Sequence, residues 1–319
     1  MPDTTTPVFL SDAELQSLDI SNLEVIEAIE QAVSGVKNGE ISVAPKTVTR
    51  ARDGRYMMAT LSASDDSGLI VVKSVIANDR NKARGLPGVN GGIMLLDSET
   101  GALKATLDAN WVTAVRTAGL SALASKRLAN PQSATLALIG TGVQAQSHLR
   151  ALVELFPINS VMVAGRGSKG IERIAAVAAE LGLAFRQAAP EQCLRESDIV
   201  VSSVSLHSVS RPFLSAQWVK SGSFAIIIDQ GGPWVKSTYQ AFGQIYIDDK
   251  TQEEVMKEPL VDLNQVAGDL TDLLNDEIKY NSKQSSAFIF RGVAVGDLAV
   301  AALAYNRAVE ERARQLSIN

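Results

Sequence analysis

A short glycine-containing segment, ATLALIGTGVQAQ at residues 134–146, has the residue types and the spacing to hold a pyrophosphate. Gly140, Gly142 and Ala145 follow the pattern G-x-G-x-x-A, directly after an apolar run and directly before a helical pattern. The first glycine permits a tight turn, the second lets the backbone approach the anion, and the alanine lets a helix pack closely on a strand. The N–H groups at the start of that helix would face the anion. The segment predicts a dinucleotide site, with a structural glycine turn as the alternative.

The next apolar run, VMVAGR, lacks the acidic residue that usually binds the ribose 2′-hydroxyl of NAD. Arg166 ends the run, Lys169 follows, and the first carboxylate is that of Glu172. The two cations would complement a 2′-phosphate through charge-assisted hydrogen bonds, so the pattern favours NADPH over NADH. A solvated basic loop is the alternative. The predicted cofactor contacts are Gly140, Thr141, Gly142, Val143, Gln144, Ala145, Arg166, Ser168, Lys169 and Ser203.

Three cations stand in otherwise apolar surroundings before the glycine turn. Lys46 follows Pro45, Lys73 lies inside LIVVKSVI, and Arg116 lies inside WVTAVRTAG. A charge in a Val- and Ile-rich strand is costly unless it meets an anion, so a substrate carboxylate is one candidate partner. A snorkelling side chain or an internal salt bridge explains each cation equally well.

An acidic residue marks the start of the last helical pattern. Asp297, in GVAVGDLAVAALAY, is predicted to begin that helix, which favours an N-terminal cap that interacts with the helix dipole. A substrate-facing role is the alternative. The loop of Gly231, Gly232 and Pro233 follows the apolar run FAIIID, where the carboxyl end of a sheet strand would line a crevice.

Composition excludes several classes of protein. The chain has 319 residues, 46% hydrophobic and 20% charged, with a net charge of −5, as expected for a globular protein of two domains. No Lys- or Arg-rich run offers a footprint for nucleic acid. Asp3 precedes any cation and no run reaches the length of a membrane span, so we expect a cytoplasmic protein without a secretory signal or membrane contact.

The chain has few metal-binding side chains. Cys193 is its one cysteine, which excludes an internal disulfide and a multi-cysteine metal site. His148 and His207 are its two histidines, and neither has a paired carboxylate motif nearby. We therefore expect structural or solvent-facing histidines and a metal-free mechanism.

The elements around these residues change character along the chain. Strand patterns at residues 56–61, 69–76, 92–96 and 102–107, after two helical patterns, predict an α+β region. From residue 134 strands alternate with helices: strands at 135–139, 160–164, 199–203 and 224–228, helices at 144–155 and 171–181. This alternation predicts a parallel sheet covered by helices. A helix at 121–128 would connect the two regions, and an Ala-rich helix at 297–316 would end the chain.

Several quoted motifs together resemble the ornithine cyclodeaminase/mu-crystallin family over nearly the whole chain. They are Pro45-Lys46, Lys73, GLPGVNGGIMLLD from Gly85, DANWVTAVRTAGLSALASKRLA from Asp108, IGTGVQAQ from Ile139 and GVAVGDLAVAALAY from Gly292. The run RTAGLSALASKRLA followed by IGTGVQ is highly specific to that family.

The resemblance implies an α/β fold: a Rossmann doubly wound parallel sheet plus an α+β substrate-binding and dimerisation domain. The implied domains are residues 1–118, joined by the C-terminal helix 298–319, and the dinucleotide-binding residues 119–297. It also implies a homodimer in which Lys46, Lys73 and Arg116 grip a substrate carboxylate and Thr117 lies near the cofactor phosphates. The residue matching Lys46 is usually Arg in that family, and Lys cannot form the same planar fork.

One departure from the family separates the activities that the resemblance allows. The deaminase has a catalytic Asp where this chain has Gly231, and Asp229 lies two residues earlier. That deaminase also favours NAD, whereas Arg166 favours NADP. We therefore predict an NAD(P)H-dependent reductase of 1-pyrroline-2-carboxylate or 1-piperideine-2-carboxylate, giving proline or pipecolate, with Lys73 as catalytic residue. The alternatives are an alanine or other amino-acid dehydrogenase, an ornithine cyclodeaminase, and a non-catalytic NADPH-binding protein.

Overall fold

The computed structural model describes residues 6–53, 55–205 and 209–318. His207, one of the two histidines considered above, lies outside these residues. The chain divides into two compact units. The terminal unit comprises Met1–Arg116 and Val293–Asn319, and the central unit comprises Thr117–Gly292. The functional roles assigned to the two predicted domains stay predictions.

The terminal unit is built on a seven-stranded sheet with the order β1-β7-β6-β5-β4-β2, in which β3 also pairs with β4. Its neighbours are antiparallel except for the parallel pair β1 and β7. The strands are β1 (Val8–Leu10), β2 (Ile41–Val43), β3 (Thr47–Arg50), β4 (Tyr56–Ser64), β5 (Leu69–Ala77), β6 (Val89–Asp97) and β7 (Leu103–Asp108).

Three helices pack in the same unit as this sheet. They are α1 (Asp12–Ser17), α2 (Asn22–Asn38) and α8 (Ala294–Ile318), and α8 packs on α2, β4 and β5. Ser21 caps α2 in a capping box with Glu24, and the apolar side of the helix, including Val25 and Ile29, is buried. The helical period read from the sequence therefore identified the side of α2 that is buried, which packs on α8 and β2.

Helix α3 (Ala109–Leu128) is longer than the connector predicted at residues 121–128. It begins directly after β7, so Arg116 and Thr117 lie within a helix. The prediction missed the first half because its Trp111, Val112 and Val115 weaken the helical pattern, and β-branched and aromatic residues are poor helix formers in isolation.

The central unit contains an eight-stranded sheet with the order β10-β9-β8-β11-β12-β15-β13-β14 and parallel pairing throughout its described ladder. Its strands are β8 (Thr135–Ile139), β9 (Ser160–Ala164), β10 (Ala184–Gln187), β11 (Ile199–Ser202), β12 (Phe224–Ile227), β13 (Gln244–Ile247), β14 (Val266–Gly268) and β15 (Ser286–Ile289). Its helices are α4 (Val143–Leu155), α5 (Ser168–Glu180), α6 (Pro190–Glu196) and α7 (Lys250–Glu254). The five neighbouring strands β10-β9-β8-β11-β12 have the Rossmann strand order 3-2-1-4-5, which confirms the predicted fold class.

The strand order fixes where ligands can meet the central sheet. Strand β8 lies between β9 and β11, and the chain leaves β8 toward one side and β11 toward the other. In open parallel sheets this reversal opens a crevice at the carboxyl ends of the strands. The glycine turn that follows β8 therefore lies at the position where such a sheet binds its ligand.

Candidate functional site

Gly140 needs to be glycine at the end of β8. Its φ of +108° is one that L side chains rarely adopt, and an added Cβ would lie 2.7 Å from the Ser203 carbonyl oxygen. The Ser203 hydroxyl is buried and has no hydrogen-bond partner among the described residues. The predicted tight turn is thus present, with the loop after β11 packed against it.

Gly142 fulfils a different requirement, since it caps α4 without a side chain. Its backbone is extended, no side-chain hydrogen bond covers the start of α4, and an added Cβ would meet nothing within 4 Å. Val143, the first helical residue, is 62% exposed, whereas Ala145 is fully buried. The first N–H groups of α4 therefore face open space, which fits the pyrophosphate of a dinucleotide.

The remaining predicted cofactor residues lie in the same unit. Arg166, Ser168 and Lys169 are exposed around the start of α5, which begins three residues earlier than predicted and has Gly167 as an uncovered N-cap. The Thr141 side chain packs against Gly170, where an added Cβ would lie 2.2 Å from its hydroxyl oxygen. Thr117 is buried in α3, and its carbonyl accepts the Ser121 hydroxyl.

Gly142→Ala gives a test that separates folding from cofactor binding. The backbone of Gly142 is open to alanine, so we expect the free energy of unfolding to stay within about 0.5 kcal/mol of the wild type. The methyl group would occupy the space predicted for the pyrophosphate, so the Kd of NAD(P)H should rise at least about tenfold, by calorimetry. Gly88→Ala, another site where an added Cβ meets nothing, is the matched control. Unchanged affinity in Gly142→Ala would contradict the cofactor assignment.

In the terminal unit the structure brings together three predicted residues. The Lys73 ammonium lies 2.5 Å from Asp297 Oδ1, and both side chains are 2% exposed. Arg116 Nε lies 3.2 Å from the same oxygen without hydrogen-bond alignment, and the second oxygen accepts the Thr60 hydroxyl at 2.8 Å. The internal salt bridge left open for Lys73 is thus present. It does not exclude the carboxylate role, because the cluster holds two cations against one carboxylate.

The prediction that Asp297 caps the last helix is wrong. The helix α8 begins at Ala294, so Asp297 lies in its first turn. The carboxylate accepts hydrogen bonds from Lys73 and Thr60 across the sheet. Two buried cations attract the carboxylate more strongly than the partial charge of a helix end.

Charges in this cluster shift the pKa values of its members. Burial favours neutral Asp297, but Lys73 and Arg116 together with the hydrogen bonds from Lys73 and Thr60 outweigh it and hold its pKa below the ordinary value. Burial, and then the Arg116 charge, lower the pKa of Lys73 to about 8, although Asp297 opposes both effects. Arg116 Nη1 is buried and has no hydrogen-bond partner among the described residues. The cluster can therefore accept a further anion.

Lys46 lies beside this cluster in the strand register, and its side chain approaches Tyr56. It directly precedes β3, whose Thr47 pairs with Ala59, so the next position faces Thr60, and Thr60 pairs with Lys73. Lys46 is 6% exposed and its ammonium lies 6.0 Å from the centre of the Tyr56 ring. Thr60 was missed in the sequence, although the alternating pattern of β4 places it on the inner face with Tyr56.

The loop after β12 explains why no aspartate stands at the deaminase position. Gly231 has a φ of +71°, and an added Cβ would lie 2.3 Å from the Tyr239 hydroxyl, so a side chain there needs a different loop. Asp229 is buried, accepts hydrogen bonds from the Ser202 hydroxyl at 2.5 Å and the Val204 N–H at 3.1 Å, and has its pKa raised by burial to about 7. Asp229 thus stabilises the loop after β11 through these hydrogen bonds.

The described histidine, His148, is fully buried in the central unit. Its Nδ1 donates to the Gln144 carbonyl at 2.8 Å, and its Nε2 lies 2.9 Å from the Ser121 hydroxyl oxygen. Burial lowers the pKa of His148 to about 4, so the ring is neutral at pH 7. This geometry fits a structural role that joins α3 to α4.

Comparison with known proteins decides the family. The model of the ornithine cyclodeaminase/mu-crystallin family matches residues 5–312. The chain belongs to this family. Mouse ketimine reductase mu-crystallin is 26% identical over 314 residues, which cover 94% of this chain and 97% of that protein. The family resemblance inferred from the sequence motifs is therefore confirmed.

Two solved structures share the fold over almost their full length. Thermococcus litoralis Δ1-pyrroline-2-carboxylate reductase, in complex with NADH and L-proline, has a TM-score of 0.86 and 26% identity, covering 95% of this chain and 98% of that chain. An archaeal alanine dehydrogenase dimer with bound NAD has a TM-score of 0.86 and 24% identity, covering 96% and 97%. Among the described helices of this chain, none combines the length and apolar character needed to cross a membrane.

Proposed function

We propose that this family member is an NAD(P)H-dependent oxidoreductase that reduces a cyclic imino acid, 1-pyrroline-2-carboxylate or 1-piperideine-2-carboxylate, to proline or pipecolate. The oxidoreductase class is supported by the reductases among its relatives. The observation that carries the substrate assignment is the buried cluster of Lys73, Arg116 and Asp297, which has an excess of positive charge and a guanidinium nitrogen without a hydrogen-bond partner.

The carboxylate of the substrate would bind to Lys73 and Arg116. Buried cations form strong charge-assisted hydrogen bonds, and the partnerless Nη1 of Arg116 gains a hydrogen bond when a carboxylate oxygen reaches it. Asp297 orients both cations, but its single negative charge cannot neutralise both positive charges. Thr60 in turn donates a hydrogen bond to Asp297. Lys46 would add charge from the neighbouring strand.

This grip supplies orientation and electrostatic stabilisation. Bound NAD(P)H supplies the hydride, which adds to the C=N carbon next to the carboxylate. The hydride forms the new C–H bond, and the product amine also needs a proton on its ring nitrogen. A cyclic iminium already carries that proton. The protein therefore has to hold the imine in place, and the carboxylate contacts of Lys73 and Arg116 do so next to the reacting carbon.

A nicotinamide cofactor is supported by the NADH and NAD bound to the relatives, and we propose NADPH as the preferred form. The exposed guanidinium of Arg166 would bind the 2′-phosphate, so Arg166→Ala should raise the KM for NADPH by about tenfold to a hundredfold and leave the KM for NADH nearly unchanged. Arg173→Ala, which removes an exposed arginine of α5 seven residues further along the chain, is the matched control. Equal loss with both cofactors would point to a structural role for Arg166.

A substrate panel tests the proposed function. NADPH and NADH oxidation is followed with both cyclic imines, with pyruvate plus ammonia, and with ornithine, and the product is identified by chiral chromatography. We expect turnover of a cyclic imine with formation of the saturated amino acid. Greater turnover of pyruvate plus ammonia would favour an alanine dehydrogenase, ammonia release from ornithine a cyclodeaminase, and cofactor binding without any turnover a non-catalytic protein.

We also propose a cytoplasmic homodimer. The outer face of the terminal sheet exposes Met57 and Leu61 on β4 and Met94 on β6, and strand pairing brings them onto one side with Val72 between them. An exposed apolar sheet face of this kind is typical of an interface between protein chains. A sedimentation mass of 33.9 kDa at micromolar concentration would contradict the dimer.

A further inference from the structure

The register of the terminal sheet arranges the inner-face residues in three transverse rows. The first row contains Thr60 and Lys73, and position 46 extends it across β3. The second row consists of Val48, Met58, Val75 and Gly91. The third consists of Arg50, Tyr56, Ala77 and Val89. Neighbouring rows are two residues apart along a strand, so they are separated by roughly 7 Å.

The second and third rows lie beyond the start of α8. That helix begins beside the first row, where Asp297 meets Lys73, and it packs on β2, which pairs with the opposite half of β4 at Ser62–Ser64. Met58 is half-buried and Val48 is 38% exposed, whereas Val75 beside them is buried, so the accessible apolar part of this row is formed by Val48 and Met58. The first row is thus cationic, the second row is apolar, and the third row contains the polar side chains of Arg50 and Tyr56.

The third row carries a cation that contacts an aromatic ring. The guanidinium carbon of Arg50 lies 5.1 Å from the centre of the Tyr56 ring, and Tyr56 is 7% exposed. Among the side chains that the structure describes, Arg50 forms no ion pair, while nearby Asp53 is paired with Arg55 and Arg80. Lys46 approaches the same ring, so Tyr56 is flanked by cations from two rows.

More positive charge surrounds this end of the sheet. Arg52 and Arg55 lie on the β3–β4 connection, and Arg80 and Arg84 lie in a 3-10 turn (Asp79–Arg84) after β5. The chain as a whole is acidic, with a net charge of −5, so this local excess of arginine contrasts with the rest of the surface. A positively charged surface at this end of the sheet attracts anionic ligands and favours those with more than one negative charge.

We infer that Arg50 and Tyr56 form a second anion subsite, so that the preferred substrate is an imino acid with a second anionic group, most simply a distal carboxylate. The inference rests on the proposed function. The α-carboxylate binds the first row, the methylene groups lie over Val48 and Met58, and the distal carboxylate binds the Arg50 guanidinium. Tyr56 supports the flat guanidinium by stacking and leaves its N–H edges available to the carboxylate.

The first experiment compares two cyclic imines that differ by one carboxylate, 1-piperideine-2-carboxylate and 1-piperideine-2,6-dicarboxylate. We expect a kcat/KM at least about tenfold higher for the dicarboxylate, and its loss in Arg50→Ala with the monocarboxylate value unchanged. Arg52→Ala removes the same charge from the neighbouring turn and is the matched control. Preference for the monocarboxylate, or equal losses with both imines in Arg50→Ala, would overturn the subsite. Failure of both imines to oxidise NAD(P)H would instead overturn the proposed function.

A binding experiment tests the subsite without turnover. Pyridine-2-carboxylate and its 2,4-, 2,5- and 2,6-dicarboxylates are stable planar analogues in which the second carboxylate is placed at different distances. Calorimetry on the full chain should show at least one dicarboxylate binding about tenfold more tightly than the monocarboxylate, and Arg50→Ala should abolish that difference. Equal affinities across the series, or a difference that Arg52→Ala removes as well, would overturn the assignment to Arg50.

Discussion

Lys73→Ala is expected to lower kcat/KM for the cyclic imine by about 10² to 10³. The ammonium is buried beside Asp297 and Arg116, so its removal takes away one carboxylate contact and leaves Asp297 to neutralise Arg116. Steady-state kinetics of NAD(P)H oxidation measure the loss. Lys104→Ala, which removes a lysine paired with Asp97 at 2.9 Å on the surface of the same sheet, should leave kcat/KM unchanged. A Lys73→Ala enzyme with wild-type kcat/KM would contradict the carboxylate grip.

The pH dependence separates a charge role from a packing role. Because the pKa of Lys73 is lowered to about 8, the ammonium is lost as the pH rises through this value, and kcat/KM should fall with it. Lys73→Arg keeps its charge far above pH 8, so the same alkaline limb should be missing from its profile even if its rate is lower. An identical limb in both enzymes would show that another group titrates.

Asp297→Asn is expected to lower the free energy of unfolding by about 3 to 5 kcal/mol, measured by urea denaturation. The amide has nearly the same shape as the carboxylate but leaves Lys73 and Arg116 buried without a counter-ion. Glu180→Ala, which breaks an exposed ion pair with Arg150, should cost less than about 1 kcal/mol.

Two further measurements attribute this loss to charge. The cost of Asp297→Asn should shrink in a Lys73→Met background, because one of the two uncompensated cations is then absent. The folded-state pKa of Asp297 is lowered, so its contribution is present above the ordinary pKa of 3.8 and is lost as the pH falls through the folded-state value. The stability difference between wild type and Asp297→Asn should therefore narrow in acid. A cost that is independent of both background and pH would contradict the ion-pair explanation.

Much of the fold and the glycine turn of the candidate cofactor site could be predicted from local sequence. The central strands are short apolar runs that alternate with helices. The motif of Gly140, Gly142 and Ala145 is recognised from the strand pattern directly before it and the helical pattern directly after it. The predicted Rossmann fold, family and oxidoreductase class are confirmed. The short strands β1, β2 and β3 were missed because three or four residues give too little alternation to recognise.

The partner of Lys73 could not be predicted in the same way. Asp297 is 224 residues away along the chain, and only the packing of α8 on β5 brings the two side chains together. Local propensity favoured a helix cap for Asp297, and the tertiary ion pair outweighed it. Thr60 and Arg50 were missed because their importance comes from pairing across β3, β4 and β5. The roles assigned to Lys46, Arg166, Ser168 and Lys169 stay predictions.

If buried cations hold the carboxylate of a cyclic imine during reduction, removing that carboxylate from the substrate should slow the reaction sharply. The kcat/KM for NAD(P)H oxidation is measured with 1-piperideine-2-carboxylate and with 1-piperideine, which has the same ring and the same C=N bond. We expect a kcat/KM at least about a thousandfold higher for the carboxylate, and a much smaller ratio in Lys73→Ala. Similar values for the two imines in the wild-type enzyme would show that the buried cations do not bind the substrate carboxylate.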